Sequence, residues 1–187
     1  MILHIYHLNM LSRTYSSIPS AVNEETPKYD IGLFGSCNPT TWRKAIAIPY
    51  YKKQNPTAEI FNPQGEDWTP EMNIIEENVK KPVHEGGAKY LLFVINHETS
   101  GEASMVEASH MITLYPSRVI MHVEDYVCDD EKVMKDVNRG RKMLLNIMKQ
   151  CGVTNYKTLH DALKESLNRL ITNNPVLLPT PDMFLVH

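Results

Sequence analysis

A chain of 187 residues, 42% of them hydrophobic, is long enough to bury a core of its own and has the length of one domain with tails. Its formal net charge is -3, with 19 Lys and Arg set against 22 Asp and Glu. With no basic run in it, that balance argues against a nucleic-acid backbone or a membrane surface as partner. No apolar run approaches the ~20 residues of a transmembrane helix.

The first 23 residues contain no Asp or Glu, but a single arginine is too little for a transit peptide, so residues 1–28 read as a flexible tail. Residues 29–172 then alternate short apolar runs with helical patterns. The runs are "YDIGLFG" to Gly35, "AEIFNP" to Pro63, "KYLLFVIN" to Asn96 and "RVIMHVE" to Glu124. None has a clean period of two, the signature of strands buried on both faces of a parallel sheet. Three helices are expected between them, at about 41–53, 70–81 and 100–112. Pro49 should kink or shorten the first. Pro70 suits the first turn of the second, with Thr69 as its cap.

Two covering helices follow. Val133, Val137, Leu144, Leu145 and Met148 recur at helical spacing, with a break expected near Gly140. Leu159, Ala162, Leu163, Leu167 and Leu170 form a second stripe, and residues 173–187 are a Pro-containing tail that could dock through Leu177, Leu178 and Phe184. The fold class is α/β, a flavodoxin-like or Rossmann-like sandwich around about four parallel strands in the order 2-1-3-4.

Ligands of open parallel sheets bind beyond the carboxyl ends of the strands, where strand order reverses. There the loops gather Gly35, Ser36, Asn38, Asn62, Gln64, Asp67, Asn96 and Glu107, with Trp42 and Trp68 as apolar walls. Each loop also has a plainer reading as a turn with a cap. Ser104-x-x-Glu107 fits a capping box, which competes with a chemical role for Glu107. The loop after the first strand is neither a dinucleotide fingerprint nor a P-loop, and His97 and His110 lack ligand spacing, so no cofactor and no metal are expected. Cys37, Cys128 and Cys151 form no C-x-x-C pair, which points to a reducing, cytoplasmic setting; Cys37 sits in a loop and is either reactive or a half-buried filler.

Taken in order, "GLFGSCNPTTWRKAIAIP", "FNPQGEDWTPEM", "LLFVINHETSGEASMVEASHMI" and "RVIMHVE" resemble the nucleoside 2-deoxyribosyltransferase family, in its deoxyribosyltransferase-like branch. The resemblance covers about residues 29–124. It implies that Glu107 attacks the anomeric carbon of a 2-deoxynucleoside or its monophosphate, kept ionised by the helix dipole among apolar neighbours. Double displacement would then pass the sugar to another base or to water. The acid for the departing base aligns with Glu76, or with Glu71 or Asp67 after a slip of register. Ser104 and Met105 flank the nucleophile as substrate-binding positions, and Asn96 stands where many members carry an aspartate. The resemblance also implies a homo-oligomer, at least a dimer, with a neighbour's loop closing each pocket. A second reading is a catalytically inactive nucleoside-binding or regulatory module of the same fold. Apart from Arg43 and Lys44 no cation near the loops suggests a phosphate, so an unphosphorylated nucleoside is the expected substrate.

Overall fold

The computed structural model describes residues 28–64 and 69–172; Asp67, Trp68 and both chain ends lie outside the described residues. Within them four strands form one parallel sheet in the order β2-β1-β3-β4, with β1 at Ile31–Gly35, β2 at Ile60–Phe61, β3 at Tyr90–Ile95 and β4 at Val119–Val123. The chain starts at β1, crosses to β2 on one side, then returns past β1 to β3, so strand order reverses between β1 and β3. Every residue of β1, β3 and β4 is buried, as their unbroken apolar runs require. β2 pairs over two residues rather than the six of its apolar run. It is an edge strand, and Pro63 has no N–H to extend the ladder.

Helices cover both faces. Phe34, Leu91, Phe93, Met121 and Val123 point to one face, where they meet Val79 of α2 (Pro70–Lys80), Ala108 and Ile112 of α3 (Glu102–Leu114), and Leu144 and Met148 of α4 (Glu131–Gln150). The alternate residues Ile31, Leu33, Leu92, Val94 and Ile120 meet Trp42 and Tyr51 ahead of and within α1 (Ile48–Gln54), and Ala162 and Leu163 of α5 (Leu159–Thr172). Each fully buried Leu, Ile or Phe contributes about 1.5–3 kcal/mol.

Pro49 acts as its chemistry dictates. It cannot donate to the carbonyl four residues back, and the turn before it, Arg43–Ala47, widens so that Ile48 N–H reaches the Arg43 carbonyl five residues back. Thr69 caps α2 by accepting from Met72 N–H. The expected break at Gly140 does not occur: α4 runs unbroken from Glu131 to Gln150. Gly140 is instead a packing glycine, since a Cβ there would lie 3.4 Å from Met105 Cε on α3.

Gly35 ends β1 at φ 112°, and a Cβ there would sit 2.0 Å from the Val94 carbonyl oxygen. No side chain fits without moving β3. Gly35→Ala is therefore expected to cost more than about 1 kcal/mol in urea unfolding; a loss within error of zero would show that the strand ends can spread.

Candidate active site

The loops leaving β1 and β3 meet at Ser36. Its N–H donates to Val94 O at 2.7 Å, and its Oγ accepts from Asn96 N–H at 3.1 Å and Thr99 Oγ1 at 2.7 Å. The carbonyls ending β1 converge on the buried Arg43 guanidinium: Nε donates to Leu33 O, Nη2 to Gly35 O and Nη1 to Ser36 O, at 2.7–3.0 Å. Arg141 of α4 does the same for the next loops, with Nη2 donating to Asn96 O and Thr99 O and Nη1 to Glu124 O. Two buried guanidiniums thus satisfy carbonyls that helix and sheet leave unpaired.

Beyond these strand ends lies a cavity of about 440 Å³, within the range of small-molecule sites. Phe34, Gly35, Cys37, Arg43 and Pro63 form its floor and strand side; Asn73, Glu76, Glu77 and Lys80 of α2 face Ala103, Ser104 and Glu107 of α3. Lys80 joins the two helices. Its Nζ lies 3.3 Å from Glu76 Oε1 and 2.8 Å from Glu77 Oε1, and donates to Glu107 Oε1. The Lys80 side chain is 8% exposed, Glu76 20% and Glu107 25%. Among the described residues no hydrogen bond reaches Glu107 Oε2. One carboxylate oxygen is anchored and the other is available to a ligand.

The candidate residues named from the sequence divide into two sets. Gly35, Ser104, Glu76 and Glu107 line the cavity. Ser36, Asn38, Asn62, Gln64 and Asn96 instead knit the loops: Gln64 Nε2 donates to Asn38 Oδ1 at 3.1 Å and Thr40 O at 3.3 Å, and Gln64 N–H donates to Asn62 Oδ1 at 3.1 Å. Trp42 is not a wall of the cavity. It is 4% exposed in the core on the other face of the sheet, with Nε1 donating to Ser36 O. Met105 packs toward α4 beside Gly140. Glu71 is exposed in the first turn of α2, where hydrogen bonds from its own backbone N–H and Thr69 hold its pKa below the usual carboxylate range; it does not reach the cavity. Asp67 lies outside the described residues.

The capping box is not formed. Gly101, at φ 66°, caps α3, so Ser104 is already the third helical residue and Glu107 belongs to the second turn. Glu107 is therefore too far along to serve the cap, and the helix dipole acts on it less than the first-turn placement implied. Its charge is governed instead by burial and by Lys80. Burial pushes the Glu107 carboxyl above the usual range, Lys80 pulls it back through a hydrogen bond and its charge, and Glu76 and Glu77 push it up again. Burial lowers the Lys80 ammonium, but hydrogen bonds to Glu107 and Glu77 and the charges of Glu107 and Glu76 outweigh that and raise it.

Lys80, Glu77 and Asn73 were not among the candidate residues. The sequence signal for Lys80 was its spacing: three and four residues after Glu77 and Glu76 on a helix, where a surface ion pair is the ordinary reading.

A second polar network closes β4. Glu124 Oε2 accepts from His97 N–H at 2.8 Å and lies 2.7 Å from His97 Nδ1, while Oε1 lies 3.1 Å from His122 Nε2. Burial raises the Glu124 carboxyl, and the bonds from His97 and His122 more than reverse that, leaving it below its ordinary value. Among the described residues no group of His, Cys, Asp and Glu is arranged to hold a metal ion, and no helix is long and apolar enough to cross a membrane.

No family model matches this chain, and no curated protein or solved structure is significantly similar to it.

Lys80→Met leaves the Glu107 carboxylate half-enclosed without its cation. Breaking a fully buried pair costs about 3–5 kcal/mol, and partial exposure here reduces that to roughly 2–3 kcal/mol. A raised carboxyl pKa means that the folded state takes up the proton first, so the deficit of the variant should shrink as pH falls and Glu107 protonates. Urea unfolding across pH, with Glu107→Gln added to the Lys80→Met background, checks this. The added change is expected to restore most of the loss at neutral pH, and an unchanged deficit would show that Lys80 acts through its alkyl packing alone.

Proposed function

We propose that this protein cleaves or transfers the N-glycosidic bond of 2-deoxynucleosides, with Glu107 as the nucleophile. The observation that carries the reading is the state of Glu107: a largely enclosed carboxylate on the wall of a cavity at the strand-order switch, anchored through one oxygen and open through the other. The resemblance of residues 29–124 to nucleoside 2-deoxyribosyltransferases supports the same assignment.

In this mechanism Oε2 of Glu107 attacks the anomeric carbon as the bond to the base breaks, giving a glycosyl ester. Lys80 fixes the direction of attack by holding Oε1. Glu76, on the facing helix and tied to the same ammonium, would give the departing base its proton; the second half-reaction transfers the sugar to water or to another base, and Glu76 would take back the proton of the attacking group. Phe34 and Pro63 in the lining supply the apolar part of the cavity against which a base would rest. A homo-oligomer and a cytoplasmic setting belong to the same proposal.

Incubation with deoxynucleosides followed by peptide mass spectrometry is expected to find a deoxyribosyl ester on the peptide carrying Glu107. Glu107→Gln, which keeps shape and removes the nucleophile, is expected to reduce base release by at least about a thousandfold while remaining folded. Near-normal turnover in that variant would sink the assignment. A folded wild-type protein that binds nucleosides but never releases base would favour the inactive binding module instead.

A further inference from the structure

His122 belongs to β4, its side chain is 2% exposed, and both of its ring nitrogens face oxygens. Nδ1 lies 2.8 Å from the Tyr156 carbonyl oxygen, and Nε2 lies 3.1 Å from Glu124 Oε1. A carbonyl only accepts, so Nδ1 carries a proton. In a neutral imidazole Nε2 is then a lone pair, and it would stand against a carboxylate oxygen. A proton between Nε2 and Oε1 removes that clash. It belongs to the nitrogen, because the bonds that Glu124 Oε2 accepts from His97 favour the charged carboxylate.

The two histidines on Glu124 are not equivalent. His97 is 56% exposed and can give its Nδ1–H to Oε2 while neutral. His122 has its one neutral-state proton fixed at Nδ1 by Tyr156, so it donates to Glu124 only as the imidazolium. The surrounding charges allow one cation here and oppose a second. Arg141 of α4 donates to the Glu124 carbonyl and lies within electrostatic reach of both Glu124 and Asp125. Behind Tyr156, Arg169 and Glu165 of α5 are paired at 2.8 Å and add no net charge. On the β3–α3 segment Glu98 accepts from Asn96 Nδ2 at 3.4 Å.

We propose that His122, held as the imidazolium, forms with Glu124 a proton-dependent latch on the segment between β3 and α3. Glu124 Oε2 holds the backbone N–H of His97, and His97 O accepts from Val127 N–H at 3.2 Å, so the carboxylate ties the ends of β3 and β4 together. The segment continues through Thr99, bonded to Ser36, to Gly101, the cap of α3. Loss of the Nε2 proton sets a lone pair against Oε1, and turning the carboxylate away to relieve this releases His97. The closed arrangement holds that proton, so the latch opens as pH rises and His122 gives it up. At the acid end the latch opens when Glu124 is protonated. Burial raises that carboxyl, but the bonds from His97 and His122 leave it below its ordinary value, which extends the closed range toward low pH.

Long-range proton–nitrogen NMR of the full chain reads the ring protonation directly, and near neutral pH both nitrogens of His122 are expected to carry protons. Amide hydrogen exchange reads the latch. The protection of His97 N–H, followed from about pH 5 to about pH 9, is expected to fall by at least about tenfold as His122 titrates. His122→Asn keeps a donor for the Tyr156 carbonyl and removes the ionisable ring. It is expected to weaken His97 protection by a similar factor near neutral pH and to abolish the step. Should that variant not fold, Glu124→Gln is expected to leave His122 with a single ring proton near neutral pH. A singly protonated His122 in the wild type, or His97 protection that stays level while His122 titrates, overturns the proposal. Neither readout involves turnover, so the result is independent of the role of Glu107.

Discussion

A single ammonium organises the candidate site. Lys80 stands between α2 and α3 and donates to carboxylates of both, so the distance between the helices, the orientation of Glu107 and the charge of the cavity all depend on one side chain. Without it Glu76 and Glu107 would be two carboxylates facing each other across a partly dry cleft, with the exposed Glu77 at its rim. Such an arrangement lowers its energy by taking up protons or by moving apart. With Lys80 in place, Glu107 is anchored at Oε1 and retains a usable lone pair at Oε2. Anchoring also limits the nucleophilicity that the proposed role asks of Glu107, since an oxygen on an ammonium is less basic than one in the open. Raising of the carboxyl by burial works against that loss.

The frame around this pair is built from backbone carbonyls and two arginines. Strands that end at a switch point leave carbonyls without ladder partners, and ordinary loops would turn these to water. Here Arg43 and Arg141, each 1% exposed, collect them inside the protein. Arg141 ties the β3–α3 loop to α4, which fixes where α3 begins and therefore which face of it presents Glu107. Arg43 sits in the cavity floor with Nε, Nη1 and Nη2 each donating to a strand-end carbonyl, so a cation that looks from composition like a phosphate ligand has a structural task. Rigid strand ends and an anchored Glu107 carboxylate keep reorganisation on ligand binding small.

Much of the fold was legible because it depends on patterns that act locally. Unbroken apolar runs marked β1, β3 and β4, and Thr69-Pro70 marked the start of α2, since an N-cap oxygen and a missing N–H have effects confined to one turn. Glu107 could be named as a residue of the cavity wall from its place after the third strand, and Glu76 through the family resemblance. The capping box misled because S-x-x-E is satisfied as well inside a helix as at its end. Gly101, three residues earlier, had the stronger claim to the cap through its left-handed backbone. Gly140 misled because glycine weakens a helix locally while close packing against Met105 compensates at a distance. Lys80 was hidden for a related reason: the pairs with Glu76 and Glu77 are visible in sequence, but Glu107 comes from 27 residues further on. Trp42 shows the limit of composition, as its ring fills the core on the far side of the sheet.

The central claim is that burial raises the Glu107 carboxyl and Lys80 holds that rise in check. It is tested most directly by following the side-chain carboxyl carbon of Glu107 by NMR in protein labelled at glutamate, assigned through Glu107→Gln. The account predicts that Glu107 titrates above an ordinary glutamate in the wild type, because burial outweighs Lys80, and higher still in Lys80→Met. Titration of Glu107 in the ordinary glutamate range, with no change when Lys80 is replaced, would contradict it.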